Sequence, residues 1–211
     1  MNDQQVLRWK QTLGKYVPPE SLQRLFLFLT DTNQVQLRVS SSRSSKLGDY
    51  RSPQRGHEYH EISVNGDLNS YFFLWVLLHE MAHLDTWKQY HHSVQPHGHE
   101  WQQAYCSLLQ QYADCFPQDV RPLLNRYVRR IPLSHKQQLQ IEEALRHYDS
   151  NYQHSLQLNE LPEGSTFRIL TKPDLLFRSI SKRRTRWLCQ EVASGRQYLV
   201  NGNAPVELIA E

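Results

Sequence analysis

Residues 71–84 (Tyr-Phe-Phe-Leu-Trp-Val-Leu-Leu-His-Glu-Met-Ala-His-Leu) are apolar in almost every position apart from His79, Glu80 and His83. Apolar side chains on every face predict a helix packed on most sides rather than one lying on a surface. Asn69 or Ser70 can cap its start. Further on, Trp101, Tyr105, Leu108, Leu109 and Tyr112 recur at helical spacing and predict a second, amphipathic helix. Upstream, Val6–Leu13 is a short helix candidate, and Pro18-Pro19-Glu20-Ser21 opens another whose inner face is Leu22, Leu25, Phe26, Phe28 and Leu29. Val35–Val39 alternates with period two and predicts a strand. Tyr50–Ser52 and His60–Val64 are further strand candidates, and Asn65-Gly66 marks a turn. Apolar spacing predicts helices over Gln118–Arg130 and Lys136–Tyr148, packing back on the core, followed by a polar linker over Ser150–Leu158. From Leu161 the chain changes character. Short strands over 161–170, 175–180, 184–191, 197–200 and 205–208 are separated by Gly, Asn and Ser turns, which suggests a small barrel or meander.

His79-Glu80-Met81-Ala82-His83 is the segment that carries chemistry. On a helix, residues four apart share a face, so both imidazoles can reach one metal ion. The carboxylate beside the first His then stands next to the metal's open position, where it can serve as general base. Two His and a Glu also occur on ordinary solvated helix faces. Here the flanking residues are apolar, and a buried Glu between two His is costly unless paired or ligated. A catalytic zinc takes three protein ligands. Thr86 and Gln89 stand where the metzincin pattern requires Gly and His, so that pattern is excluded. The residues alone leave His92, His97, His99 and Glu100 as candidates for the third ligand. The layout is α+β, that of a minimal zincin-like metallopeptidase domain: a short antiparallel sheet beside the helices that carry HExxH, followed by a small all-β C-terminal domain. The expected boundaries are 1–130 for the metallopeptidase domain with its N-terminal helices, 131–157 for a helix and linker, and 158–211 for the β-rich domain.

The second motif, His97-Gly98-His99-Glu100-Trp101, opens the next helix after a loop. With the first motif it resembles the SprT-like family of zinc metallopeptidases, which includes the Spartan proteases. Leu47-Gly48-Asp49-Tyr50-Arg51 and Ile62 to Asn69 are similar to the strand region that precedes the family's catalytic helix, so the resemblance spans about residues 18 to 130. It implies Zn2+ bound by His79, His83 and His97, with Glu80 as base in the hydrolysis of peptide bonds. It also implies a protein or peptide substrate, and DNA-associated proteins and DNA itself are candidate partners. The overall layout is similar to compact bacterial members with a small β-rich tail. Many relatives carry a zinc ribbon on four cysteines. Only Cys106, Cys115 and Cys189 are present here, without a C-x-x-C pair, so such a ribbon cannot be built.

The remaining composition narrows the setting. A chain of 211 residues with 39% hydrophobic residues suits one main domain and a small second one. A formal charge of +3 does not by itself imply nucleic-acid binding. Three cysteines without framework spacing suit a reducing compartment. The polar N-terminus has no signal-like apolar core, and the Tyr71–Leu84 run is too short and too polar to span a bilayer. A soluble, cytoplasmic monomer with no membrane partner is therefore expected. The basic run Lys182, Arg183, Arg184, Thr185, Arg186 with Trp187 has two readings. One is a solvated hairpin. The other is a grip on a phosphate backbone with Trp187 stacked on a base. Eight basic against six acidic residues over 159–211 favours the first. His57 and His60, three apart on a strand or loop, would face opposite ways. His91 and His92 are expected exposed, as are His135, His147 and His154. A strand near Ile62–Asn65 could align an extended substrate by adding it to the sheet. The competing function is a non-catalytic, zinc-stabilised nucleic-acid or protein-binding module, in which His99 or Glu100 would supply a fourth ligand.

Overall fold

A computed structural model describes residues 11–31, 34–43, 46–54, 58–149, 156–170, 172–184, 186–202 and 204–209. Residues 6–10 of the expected first helix, 150–155 of the expected linker, His57, His154 and Thr185 lie outside the described residues. The chain divides into two compact units, Met1–Ser150 and Asn151–Glu211.

The first unit is built around helix α2. Helix α1 is Leu22–Asp31, α2 is Ser70–Tyr90, α3 is His99–Gln111, α4 is Arg121–Tyr127 and α5 is His135–Arg146. Twelve of the residues of α2, including Phe72 to Leu78, Glu80 and Met81, are buried. They are covered on different sides by the sheet, α3 and α5. This explains why the sequence shows a continuous apolar run and not a stripe. The helix start is set by Asn69, whose side-chain oxygen accepts from the N–H groups of Tyr71 and Phe72 at 3.1 and 3.0 Å. Its amide donates to the Leu145 carbonyl at 2.8 Å and to Asp149 Oδ1 at 2.6 Å. One side chain thus caps α2 and fastens α5 to it. Ile141 and Leu145 of α5 lie in the same core. The helix expected over 118–130 is shorter because Pro122, lacking an N–H, is tolerated only in a first turn.

Strands β1 (Val35–Ser40), β2 (Gly48–Arg51) and β3 (His60–Asn65) form a sheet in the order β1-β3-β2. The expected antiparallel sheet is corrected: β2 is antiparallel to β3, but β1 is parallel to it. The chain leaves β1, lays down β2 antiparallel at the far edge, then inserts β3 between them, so β2 lies within the long connection that parallel pairing requires. The expected role of Ile62–Asn65 in adding a substrate strand is also corrected. β3 is paired on both sides and has no free edge. It is buried at every residue but Glu61.

The second unit is all β: β4 (Leu156–Gln157), β5 (Thr166–Ile169), β6 (Lys172–Lys182), β7 (Arg186–Glu191), β8 (Gln197–Asn201) and β9 (Pro205–Leu208). They pair antiparallel in the order β4-β9-β5-β6-β7-β8. The unit is a meander whose last strand returns between β4 and β5. Phe167, Phe177, Trp187 and Cys189 are the centre of its own core. Among the described residues, no helix is long and apolar enough to cross a membrane.

Candidate metal centre

His79 and His83 stand one turn apart on α2. His97 lies immediately before Gly98, the N-cap residue of α3. The packing of α3 on α2 brings the three rings together: His97 Nε2 is 3.1 Å from His79 Nε2 and 3.0 Å from His83 Nε2. Among the described residues, His79, His83 and His97 form the one group of three or more candidate donors that could hold a metal ion. The donor chemistry fits such an ion. Each Nε2 presents one in-plane site, a lone pair or a hydrogen, so His97 Nε2 cannot form a linear hydrogen bond to both neighbours at once. A cation between the three rings accepts all three lone pairs together. A tetrahedral ion with metal–nitrogen bonds of ~2.0–2.1 Å spaces its nitrogens about 3.3 Å apart, close to the separations seen.

The rings are held in the neutral form that ligation needs. Burial, followed by repulsion from His83 and His97, pulls His79 down to about 3. Burial and the neighbouring His97 pull His83 down to about 4. Burial lowers His97 as well. Aromatic neighbours fix their orientation. The Trp101 ring lies 4.6, 5.2 and 4.5 Å from those of His79, His83 and His97. Tyr105 flanks His79, and Tyr50 lies parallel to His83 with centroids 6.0 Å apart. Tyr50 is in turn hydrogen-bonded to buried His60, its hydroxyl 2.9 Å from Nδ1.

Glu80 projects into the same cleft, which has a volume of about 620 Å³ and is walled by Tyr50, Trp87 and Trp101 among others. Burial pushes its carboxyl up to about 8, with nearby Asp49 adding to the effect and Lys46 and Arg43 opposing it. The edge strand β2 passes tightly over this carboxyl. A Cβ on Gly48 would run into Glu80 Oε1 and would sit 2.7 Å from Val76 Cγ1. The loop leading into β2 is tied down by Arg43, whose Nε donates to fully buried Asn65 Oδ1 at 2.9 Å and whose Nη1 donates to Ser63 Oγ at 3.2 Å. Gly48 therefore lets the outer strand of the sheet approach the acid.

The other candidates fall elsewhere. His92 and His99 are exposed and Glu100 is half-buried, and none of them belongs to the converging group. His91 and His92 border the cleft mouth. In the second unit, Lys182, Arg183, Arg184 and Arg186 are exposed around the β6–β7 hairpin. Trp187 is corrected: it is only 4% exposed, and its Nε1 donates to Asn159 Oδ1 at 2.9 Å. A ring committed to the core of the unit is not free to stack on a base. Sequence reasoning overlooked Gly48, Trp101 as a contact of all three rings, and Gln102, whose side chain reaches the His97 backbone. Only Trp101 had a signal, its aromatic place in the second motif.

Residues 20–121 match the model of the SprT-like family. No curated protein and no solved structure matches the chain.

Proposed function

We propose that this chain, which belongs to the SprT-like family through residues 20–121, is a zinc-dependent endopeptidase with a minimal zincin-like catalytic domain. His79, His83 and His97 hold the ion and Glu80 is the general base. The observation that carries this reading is the convergence of three neutral imidazole nitrogens beside a buried carboxyl in one open cleft. Zinc, when bound at such a donor set, polarises a carbonyl and brings the pKa of water from ~15.7 towards ~7. The chain supplies the rest. Glu80, whose ionised form a dication at the neighbouring site would favour over the raised value of the metal-free protein, takes a proton at its carboxylate oxygen as water attacks the scissile carbonyl, and it passes that proton to the leaving amine. The strand β2 has one side paired with β3, while Gly48, Asp49 and Tyr50 line the cleft. An extended peptide can therefore be aligned along it by main-chain bonds, with modest side-chain selection. Tyr50, Trp87 and Trp101 supply apolar walls to the cleft around the reacting bond. Three unpaired, buried cysteines suit a reducing compartment such as the cytoplasm. A purely structural zinc would call for a fourth protein donor, and His99 and Glu100 stand outside the group.

The test compares Glu80→Gln with the parent protein on an unfolded protein substrate. Zinc content should be unchanged while the cleavage rate falls by about 10²- to 10⁴-fold. Equal cleavage by the two proteins would remove Glu80 from the reaction.

A further inference from the structure

The third imidazole is held differently from the other two. His79 and His83 are part of a buried helix, and their backbone needs no further support. His97 is exposed, lies in the loop ahead of α3, and has φ of 57°, a left-handed conformation unfavourable for a residue that carries a Cβ. Its position must be imposed from outside. The side chain of Gln102, one turn into α3, supplies the contact. Gln102 Nε2 donates to the His97 carbonyl at 2.9 Å. The same amide's Oε1 accepts from the Leu133 N–H at 2.8 Å, in the connection between α4 and α5. Its main-chain N–H donates to the Gly98 carbonyl at 3.0 Å, which fixes the base of the side chain in the first turn of the helix. A donor on one side and an acceptor on the other, at this reach, are what a Gln amide provides. A carboxylate cannot donate, and an ammonium cannot accept.

We propose that Gln102 is a positioning residue for the metal centre. It acts through His97, touching neither ion nor substrate, and locks the left-handed loop so that the third Nε2 meets the other two. The same amide couples the connection at Leu133 to the centre. This inference rests on the ligand assignment above.

The experiment measures zinc affinity of the purified full chain by competition with a chromophoric chelator, together with the visible absorption of the cobalt-substituted protein. Gln102→Glu keeps the acceptor for Leu133 and sets a carboxylate against the His97 carbonyl. Gln102→Met keeps the length and loses both bonds. Zinc binding should weaken by about 10- to 100-fold in both variants, with an altered cobalt spectrum. Combining Gln102→Glu with His97→Ala should bind no more weakly than His97→Ala alone, because the two act through one ligand. Affinities within twofold of the parent, or losses that add in the double variant, would overturn the proposal while leaving the ligand set in place. A parent protein that takes up no zinc would overturn the ligand assignment and this proposal with it.

Discussion

Two residues beside the metal centre have opposite visibility in the sequence. Glu80 is legible because HExxH fixes both its helix face and its distance from two imidazoles. Gly48 is not, because its importance comes from a strand and a helix meeting in space. Gly48→Ala should press a methyl group into Glu80 and Val76. The expected results are a loss of about 1–3 kcal/mol of stability and at least a tenfold drop in cleavage, with zinc content kept; parent-like cleavage would show that the acid tolerates displacement. The titrations around the centre give a second prediction, for the metal-free protein. His79 and His83 fall from an ordinary 6.5 to about 3 and about 4 in the folded state. The unfolded chain therefore takes up protons first, and stability is lost as pH drops below about 6.5. Glu80 works in the other direction. Its carboxyl rises from 4.5 to about 8, so the unfolded chain ionises first and stability is lost as pH climbs from about 4.5 to 8. Glu80→Gln removes only the second effect. Thermal melts in chelator should show the variant gaining on the parent between pH 5 and pH 8, and a constant offset across that range would contradict the burial of a protonated Glu80.

At the scale of elements, the apolar run before His79 made α2 legible, since that helix must bury most of its surface, and the one-sided spacing after Gly98 made α3 legible, since that helix buries a single face. Strand positions were legible from alternation, but strand direction was not. Alternation reports which face is buried and says nothing about which neighbour a strand takes, so the parallel pairing of β1 with β3 came from the order in which the chain lays down its strands. The same limit hid which strand borders the cleft. The sequence points to Ile62–Asn65, which is central, while the strand bordering the cleft is β2. Asn69 shows how one polar residue fixes two elements, capping α2 and holding the end of α5. Asn69→Ala should therefore cost about 2 kcal/mol, at the upper end for a lost N-cap. Chemical denaturation would measure it, and a cost below about 0.5 kcal/mol would mean that neither the cap nor the tie to α5 contributes.

The described residues form two cores. The first holds every group of the proposed reaction, and the second, around Phe167, Phe177 and Trp187, holds none of them. The strands that follow Leu161 were legible from strand-length apolar runs and frequent turns. The fate of Trp187 was not, because an aromatic residue beside arginines reads alike whether its ring faces solvent or core. The cation that would join His79, His83 and His97 is the point on which the catalytic reading turns. Zinc stoichiometry of the intact chain, purified without chelator, tests it most directly. One zinc per chain is predicted for the parent protein, with occupancy lost on His79→Ala or His83→Ala and greatly weakened on His97→Ala. A parent protein without metal, or one whose zinc survives all three substitutions, would contradict it.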